Sequence, residues 1–143
     1  MRIMAIDYGD ARTGVAVSDL TGMMAGYTTV IQEHKRENVI AELLCLVKSH
    51  QAEELVVGLP RNMDGTEGAR AQLCRTFAAE LESASGLPVV LWDERRSTVE
   101  AHAILHQNGK RMKEHRKNVD AVAASLILEN YLMRKRQNRG ELN

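Results

Sequence analysis

Aromatic residues are scarce in this chain: one Phe, one Trp and three Tyr make up 3% of 143 residues. That is too few for a platform on which the bases of a single strand would stack. Any nucleic acid it met would be read through duplex shape and phosphates instead. Cysteine is nearly missing too. Cys45 and Cys74 fall in separate helical patterns without metal-type spacing, which excludes a disulfide framework and predicts two reduced core residues. No apolar run is long enough to span a bilayer, and no basic-then-apolar leader opens the sequence, so a cytoplasmic protein is expected. Net charge is also absent, with 19 Lys and Arg against 19 Asp and Glu.

The zero balance hides an asymmetry. From Glu94 onward there are 11 basic and 6 acidic residues, a local charge of +5, while the first 93 residues carry −5. The excess sits in KRMKEHRK (110–117) and RKRQNR (134–139). Solvated surface accounts for most runs of this kind, but a local field is enough to make a phosphate-contacting surface. Apolar content of 44% and charged content of 27% are those of a globular protein, and the length suits one domain.

Short apolar runs at 2–8, 13–18 and 26–31 read as strands. Gly9 and Gly14 bracket the first connection, and the short links predict an antiparallel meander. Helical spacing of Val39, Ile40, Leu43, Leu44 and Val47 follows over 36–49, then an apolar strand over 54–60 closed by Pro60. A helix over 66–85 ends at Gly86 and Pro88, and VVLWD (89–93) is the next strand. Alternation of helix and strand from this point predicts parallel crossovers. STVE (97–100) is a capping box for a helix to about residue 107. After the basic loop, a last helix runs over 119–136, presenting Val119, Val122, Ala123, Leu126 and Ile127. The expectation is an α/β fold over 1–136: a mixed five-stranded sheet, an antiparallel meander plus two parallel strands, flanked by helices. Residues 137–143 are expected to form a basic tail.

Ligands of such sheets gather at the carboxyl ends of the parallel strands. Three acidic positions converge there: Asp7, the Asp93–Glu94 pair, and Asp120 in the first turn of the last helix. Carboxylates brought together repel one another and need a cation to stay ionised. A hard divalent ion such as Mg²⁺ suits oxygen ligands, and two such ions can activate water and stabilise a leaving oxygen. Each acid also has an ordinary alternative. Asp7 could form a turn, Asp120 could answer a helix dipole, and Glu94 could pair with Arg95 or Arg96. In NMDGTE (62–67), Asp64 or Thr66 could cap the following helix, and Arg61 and Arg70 could add charge for a phosphate. His102 and His106 have zinc-like spacing but no HExxH pattern, and read as surface residues.

DYGDARTGVAVSD (7–19), VVGLPRNMDGTEG (56–68), DERRSTVEA (93–101) and DAVAASLILENYL (120–132) resemble, in order, four blocks of the YqgF family, also called RuvX. The blocks spread from Arg2 to about Leu132. The resemblance implies an RNase H-like fold and a cytoplasmic nuclease using Mg²⁺ or Mn²⁺. The activity implied is 5′-end processing of precursor 16S rRNA, ahead of Holliday junction resolution. It also implies Asp7, Glu94 and Asp120 as catalytic and metal-binding carboxylates, with Asp93 in reserve. Nucleic-acid contacts fall to Gly9, Arg12, Gly14, Arg61, Asn62, Asp64, Arg95, Lys110, Arg111, Arg116 and Lys117. Similar proteins are monomers or homodimers. One departure stands out: VVGLP carries no acid where related junction resolvases carry one. Glu94 would have to reach inward across about 10 Å of sheet, or a metal would have to lie between.

Two other classes compete. A D-x-G-x₄-G hairpin is also the phosphate loop of actin-like ATPases and sugar kinases, but those close two such domains over a nucleotide and this chain holds one. A ribosome-associated RNA-binding protein without turnover is compatible with the basic segments.

Overall fold

The computed structural model describes residues 1–22, 24–94 and 119–138. The first strand, β1 (Ile3–Asp7), has four fully buried residues before its terminal acid. Met4 and Ile6 point to one side of the sheet, Ile3 and Ala5 to the other. A strand covered on both faces reads as an unbroken apolar run. Its neighbours are β2 (Arg12–Ser18) and β4 (Glu54–Leu59), and the edges are β3 (Ala25–Gln32) and β5 (Val89–Asp93), in the order β3-β2-β1-β4-β5. β1–β2 and β2–β3 are antiparallel; β1–β4 and β4–β5 are parallel. The expected meander and parallel pair are therefore both present. Pro60, with no N–H to give a ladder, ends β4 one residue sooner than the sequence suggests.

One face is covered by α1 (Arg36–His50) and α2 (Ala69–Ser85). Val39, Leu43, Phe77, Ala78 and Leu81 pack there against Met4, Ile6, Val15, Val17, Leu55 and Val57. The other face is covered by α3 (Val119–Asn138), whose Ala124, Ile127, Leu128 and Leu132 lie on Ile3, Ala5, Ala16, Val56 and Trp92. Tyr131 meets Trp92 edge-on at 5.9 Å and donates a hydrogen bond to Glu54, which also holds Lys135 at 2.7 Å.

Several details depart from expectation. The buried residues of α3 are Ala121, Ala124, Leu126, Ile127, Leu128 and Leu132; Leu126 and Ile127 are buried as expected, while Val122 and Ala123 are only half-buried. The segment AVAASLIL is apolar all round, so periodicity alone could not phase it. α3 continues to Asn138, into the stretch expected as tail. α2 begins at Ala69 rather than residue 66, and Gly68 stands at its N-cap position without a side-chain cap. Neither Asp64 nor Thr66 caps it; they bond each other instead. Cys74 is buried as expected, but Cys45 is exposed, because it lies two residues beyond buried Leu43 and so on the far side of α1. The helix expected over 97–107, its capping box, His102, His106 and the basic loop 110–117 lie outside the described residues.

Candidate active site at the carboxyl edge of the sheet

Asp7 ends β1 on the same face as Ile3 and Ala5, beneath α3. Its partner on β2 is Gly14. On β4, one step beyond the Ile6–Val57 pair, stands Gly58. Side chains alternate along β5, so Trp92 faces α3 while Asp93, aligned with Leu59, faces α2. Glu94, one residue past the strand, returns to the α3 face. Its carboxylate lies over Gly58: a Cβ on that glycine would be 2.5 Å from Glu94 Oε1 and 2.8 Å from Ile127 Cδ1.

This placement has an electrostatic consequence. Burial, and then the negative charge of Asp7, push the Glu94 carboxyl up from 4.5 to about 7; Asp93 adds to the rise and Arg70 opposes it. The two acids that the sequence places at separate strand ends therefore act on one another. α3 brings the third position toward them. Lys135 and Tyr131 touch Glu54 at the start of β4, and Ile127 touches the Gly58 position near its end. The helix thus lies across this face of the sheet with its N-terminal end, where Asp120 stands, toward the carboxyl ends of β1 and β4. Among the described residues no group of three metal-ligating side chains is assembled. Two carboxylates at one edge and on one face, the Glu94 carboxyl raised by burial and then by the Asp7 charge, are nonetheless a donor set suited to a hard divalent cation.

Asp93 has another occupation. Arg61 Nη1 lies 3.7 Å from Asp93 Oδ2, and Arg61 Nε lies 3.3 Å from Glu67 Oε2. Arg75 grips the same Glu67 with two bonds of 2.6 Å, so this glutamate is held below the ordinary range, chiefly by Arg75. Arg61, expected to meet phosphate, is thus engaged by two carboxylates of its own chain. Asn62 and Asp64 are built into the loop: Asn62 donates to Thr66 Oγ1, and Asp64 Oδ1 accepts from the Thr66 amide and hydroxyl. Gly9 is required by the hairpin itself, since a Cβ there would overlap the Arg12 carbonyl. Arg12 is exposed at the start of β2, at the same edge as Asp7. Arg95, Lys110, Arg111, Arg116 and Lys117 lie outside the described residues.

Two contributors have roles that the sequence did not assign: Arg70 was expected only to add charge for a phosphate, and Gly58 was not expected. Arg70, in the first turn of α2, pairs with Asp10 at 2.7 Å, donates to the Tyr8 carbonyl and lies 5.3 Å over the Tyr8 ring. That ring stacks on Phe77 at 4.1 Å, which ties the cation to the core. Gly58 is the other. Its signal was present in VVGLP, as the glycine standing where an acid was missed.

The family described as "RuvX: Holliday junction resolvase" matches residues 1–134. A protein of Halothermothrix orenii named "Putative pre-16S rRNA nuclease" is 44% identical over 132 residues, 92% of this chain and 94% of that one. The fold is similar to that of T. thermophilus RuvC solved with a Holliday junction substrate, with a TM-score of 0.70 at 16% identity, covering 96% of each chain. It is also similar to a ROK family protein of Streptococcus pneumoniae solved with sucrose (TM-score 0.53, 18% identity), but there 75% of this chain covers only 39% of that one.

Proposed function

The chain belongs to the RuvX family, and from that premise we propose that it is a metal-dependent nuclease hydrolysing phosphodiester bonds in structured nucleic acid, with the 5′ end of precursor 16S rRNA as its substrate. The observation that carries this reading is the Glu94 carboxylate lying over Gly58, on the face and at the edge of the sheet where Asp7 ends β1, close enough for the Asp7 charge to act on it. Asp7, Glu94 and Asp120 would hold Mg²⁺ or Mn²⁺. A divalent ion there supplies an activated water and charge stabilisation for the leaving oxygen.

The chain's own groups do the rest. Asp7 is fixed by a strand buried on both faces, so its carboxylate is presented without reorganisation. Glu94, titrating at about 7, is partly protonated at neutral pH and gives up that proton when it becomes a ligand. Arg70 limits the rise in Glu94, keeping the carboxyl within reach of ionisation. Arg12 offers an exposed cation beside the acids for a phosphate. A kinase or ATPase is disfavoured, because the relative named as a pre-16S rRNA nuclease is 44% identical over 92% of this chain, whereas the ROK protein is 18% identical.

Purified protein, tested with Mg²⁺ or Mn²⁺ on precursor 16S rRNA, four-way junction DNA and single strands, is expected to cut the precursor RNA. Chelation and Asp7→Asn should each abolish the cut. Cleavage that persists in Asp7→Asn would remove the acids from the mechanism. A cut on the junction with the RNA intact would favour the resolvase reading, which the likeness to RuvC keeps in view.

A further inference from the structure

We infer that Gly58 is a positioning residue for the reaction proposed above: the missing side chain on β4 beside Asp7 is the seat in which the Glu94 carboxylate rests. The inference rests on that reading of the site. Adjacent strands are about 4.8 Å apart, so an acid from the β5 side must cross β4 to approach Asp7 on β1. Any side chain on β4 at this level and on this face would block the crossing. The Cβ position of Gly58 is 2.5 Å from Glu94 Oε1, closer than such atoms approach, and 3.2 Å from its Cδ, so with any side chain there the carboxylate must shift.

Backbone conformation does not demand this glycine. The glycines with positive φ are Gly22, Gly65 and Gly86 among the described residues, and Gly58 is not one of them. It lies inside a buried strand, where glycine has no side chain to pack and weakens the ladder. Space is the reason left. Two neighbours claim that space: Glu94, and Ile127 Cδ1 at 2.8 Å. A purely structural role would concern Ile127 alone, a flexible methyl that can be trimmed. The positioning role concerns the carboxylate, and it also accounts for the acid missing from VVGLP. That acid is supplied from one strand further out, over a residue that leaves its place empty.

The test separates the two neighbours. Ile127→Ala removes the packing conflict, so the Gly58→Ala/Ile127→Ala pair confronts Glu94 only. Against Ile127→Ala, the pair is expected to keep the same circular dichroism and nucleic-acid KM. Its Mn²⁺ affinity should fall about 10- to 100-fold, and its kcat about 100-fold, as for a catalytic group displaced by an ångström. The complementary arm moves the acid: Gly58→Asp/Ile127→Ala/Glu94→Ala should recover Mn²⁺ affinity and cleavage at least about 10-fold over Ile127→Ala/Glu94→Ala, because its carboxylate starts in the seat. Parental Mn²⁺ affinity and kcat in the Gly58→Ala/Ile127→Ala pair would overturn the inference. If that pair does not fold, the transplanted acid decides, and no recovery overturns it. Asp7→Asn keeps the two readings apart. Full activity in Asp7→Asn sinks the carboxylate-held-metal reading of the site and the seat together. An inactive Asp7→Asn beside an undisturbed Gly58→Ala/Ile127→Ala pair sinks the seat alone.

Discussion

Two glutamates near the same sheet edge experience opposite surroundings. Glu67, in the loop before α2, is held by Arg75 and approached by Arg61, and its carboxyl is held below the ordinary range. Glu94, on the other face, is brought over a glycine toward a second carboxylate, and its carboxyl is pushed up to about 7. The first region is electrostatically complete within the chain, whereas the second accumulates like charge in a partly buried place. Compensated charge holds a loop to a helix. Charge concentrated against a like charge is how a fold keeps a place for a cation, and such groups mark functional sites. The contrast also separates Asp93 from Glu94, adjacent in sequence yet assigned to the two different regions.

The comparison can be broken most sharply at Asp7. Asp7→Asn is expected to lower cleavage by about 10³-fold, roughly 4 kcal/mol of transition-state stabilisation, while leaving the circular dichroism spectrum unchanged. Glu94→Gln should lose cleavage as well, yet gain stability without metal. Because the folded carboxyl titrates at about 7 and an ordinary glutamate at 4.5, the stability that Glu94 gives the metal-free parent is full below pH 4.5 and is lost as pH rises through 7. Urea denaturation at pH 8 should therefore find the Gln variant more stable by up to something on the order of 3 kcal/mol, the full linkage of such a shift. Added Mn²⁺ should stabilise the parent and not the variant.

Arg70→Gln sharpens the comparison more gently. Loss of the cation that opposes the rise in Glu94 should move the acidic limb of the cleavage pH profile to higher pH, with activity regained above it. The smallest effect belongs to the compensated glutamate. Glu67→Gln should lower Tm by a few degrees at neutral pH and leave cleavage near the parental rate. Its folded carboxyl lies below 4.5, so its contribution is present at neutral pH and fades on acidification. A large loss of activity in Glu67→Gln would erase the distinction between the regions.

Much of this arrangement was legible beforehand. The apolar runs of β1 and β4 are unbroken because helices cover both faces, and unbroken runs joined by helical periods predict parallel pairing. Asp7 was legible because an acid closing such a run is costly without a partner. Less legible was anything decided by which way a side chain turns. The phase of α3 could not be read from AVAASLIL, where every face is apolar. NMDGTE offered two plausible caps for α2, and neither is used, because Asp64 and Thr66 satisfy each other first. Arg61 was expected as a phosphate contact from its residue type, and only the fold sets Glu67, six residues on, and Asp93, from another strand, beside it.

Local chemistry and period, which neighbours in the chain suffice to set, determined the strands, their order and the edge where acids collect. The sequence by itself therefore specified a mixed sheet with Asp7 at its carboxyl end and named Glu94 as a candidate. Only the tertiary structure decided that Glu94 rather than Asp93 faces Asp7, and that it does so across an empty position at Gly58. The reason is geometric: strand parity assigns a residue to a face, but the reach of one side chain over another strand depends on what that strand leaves out.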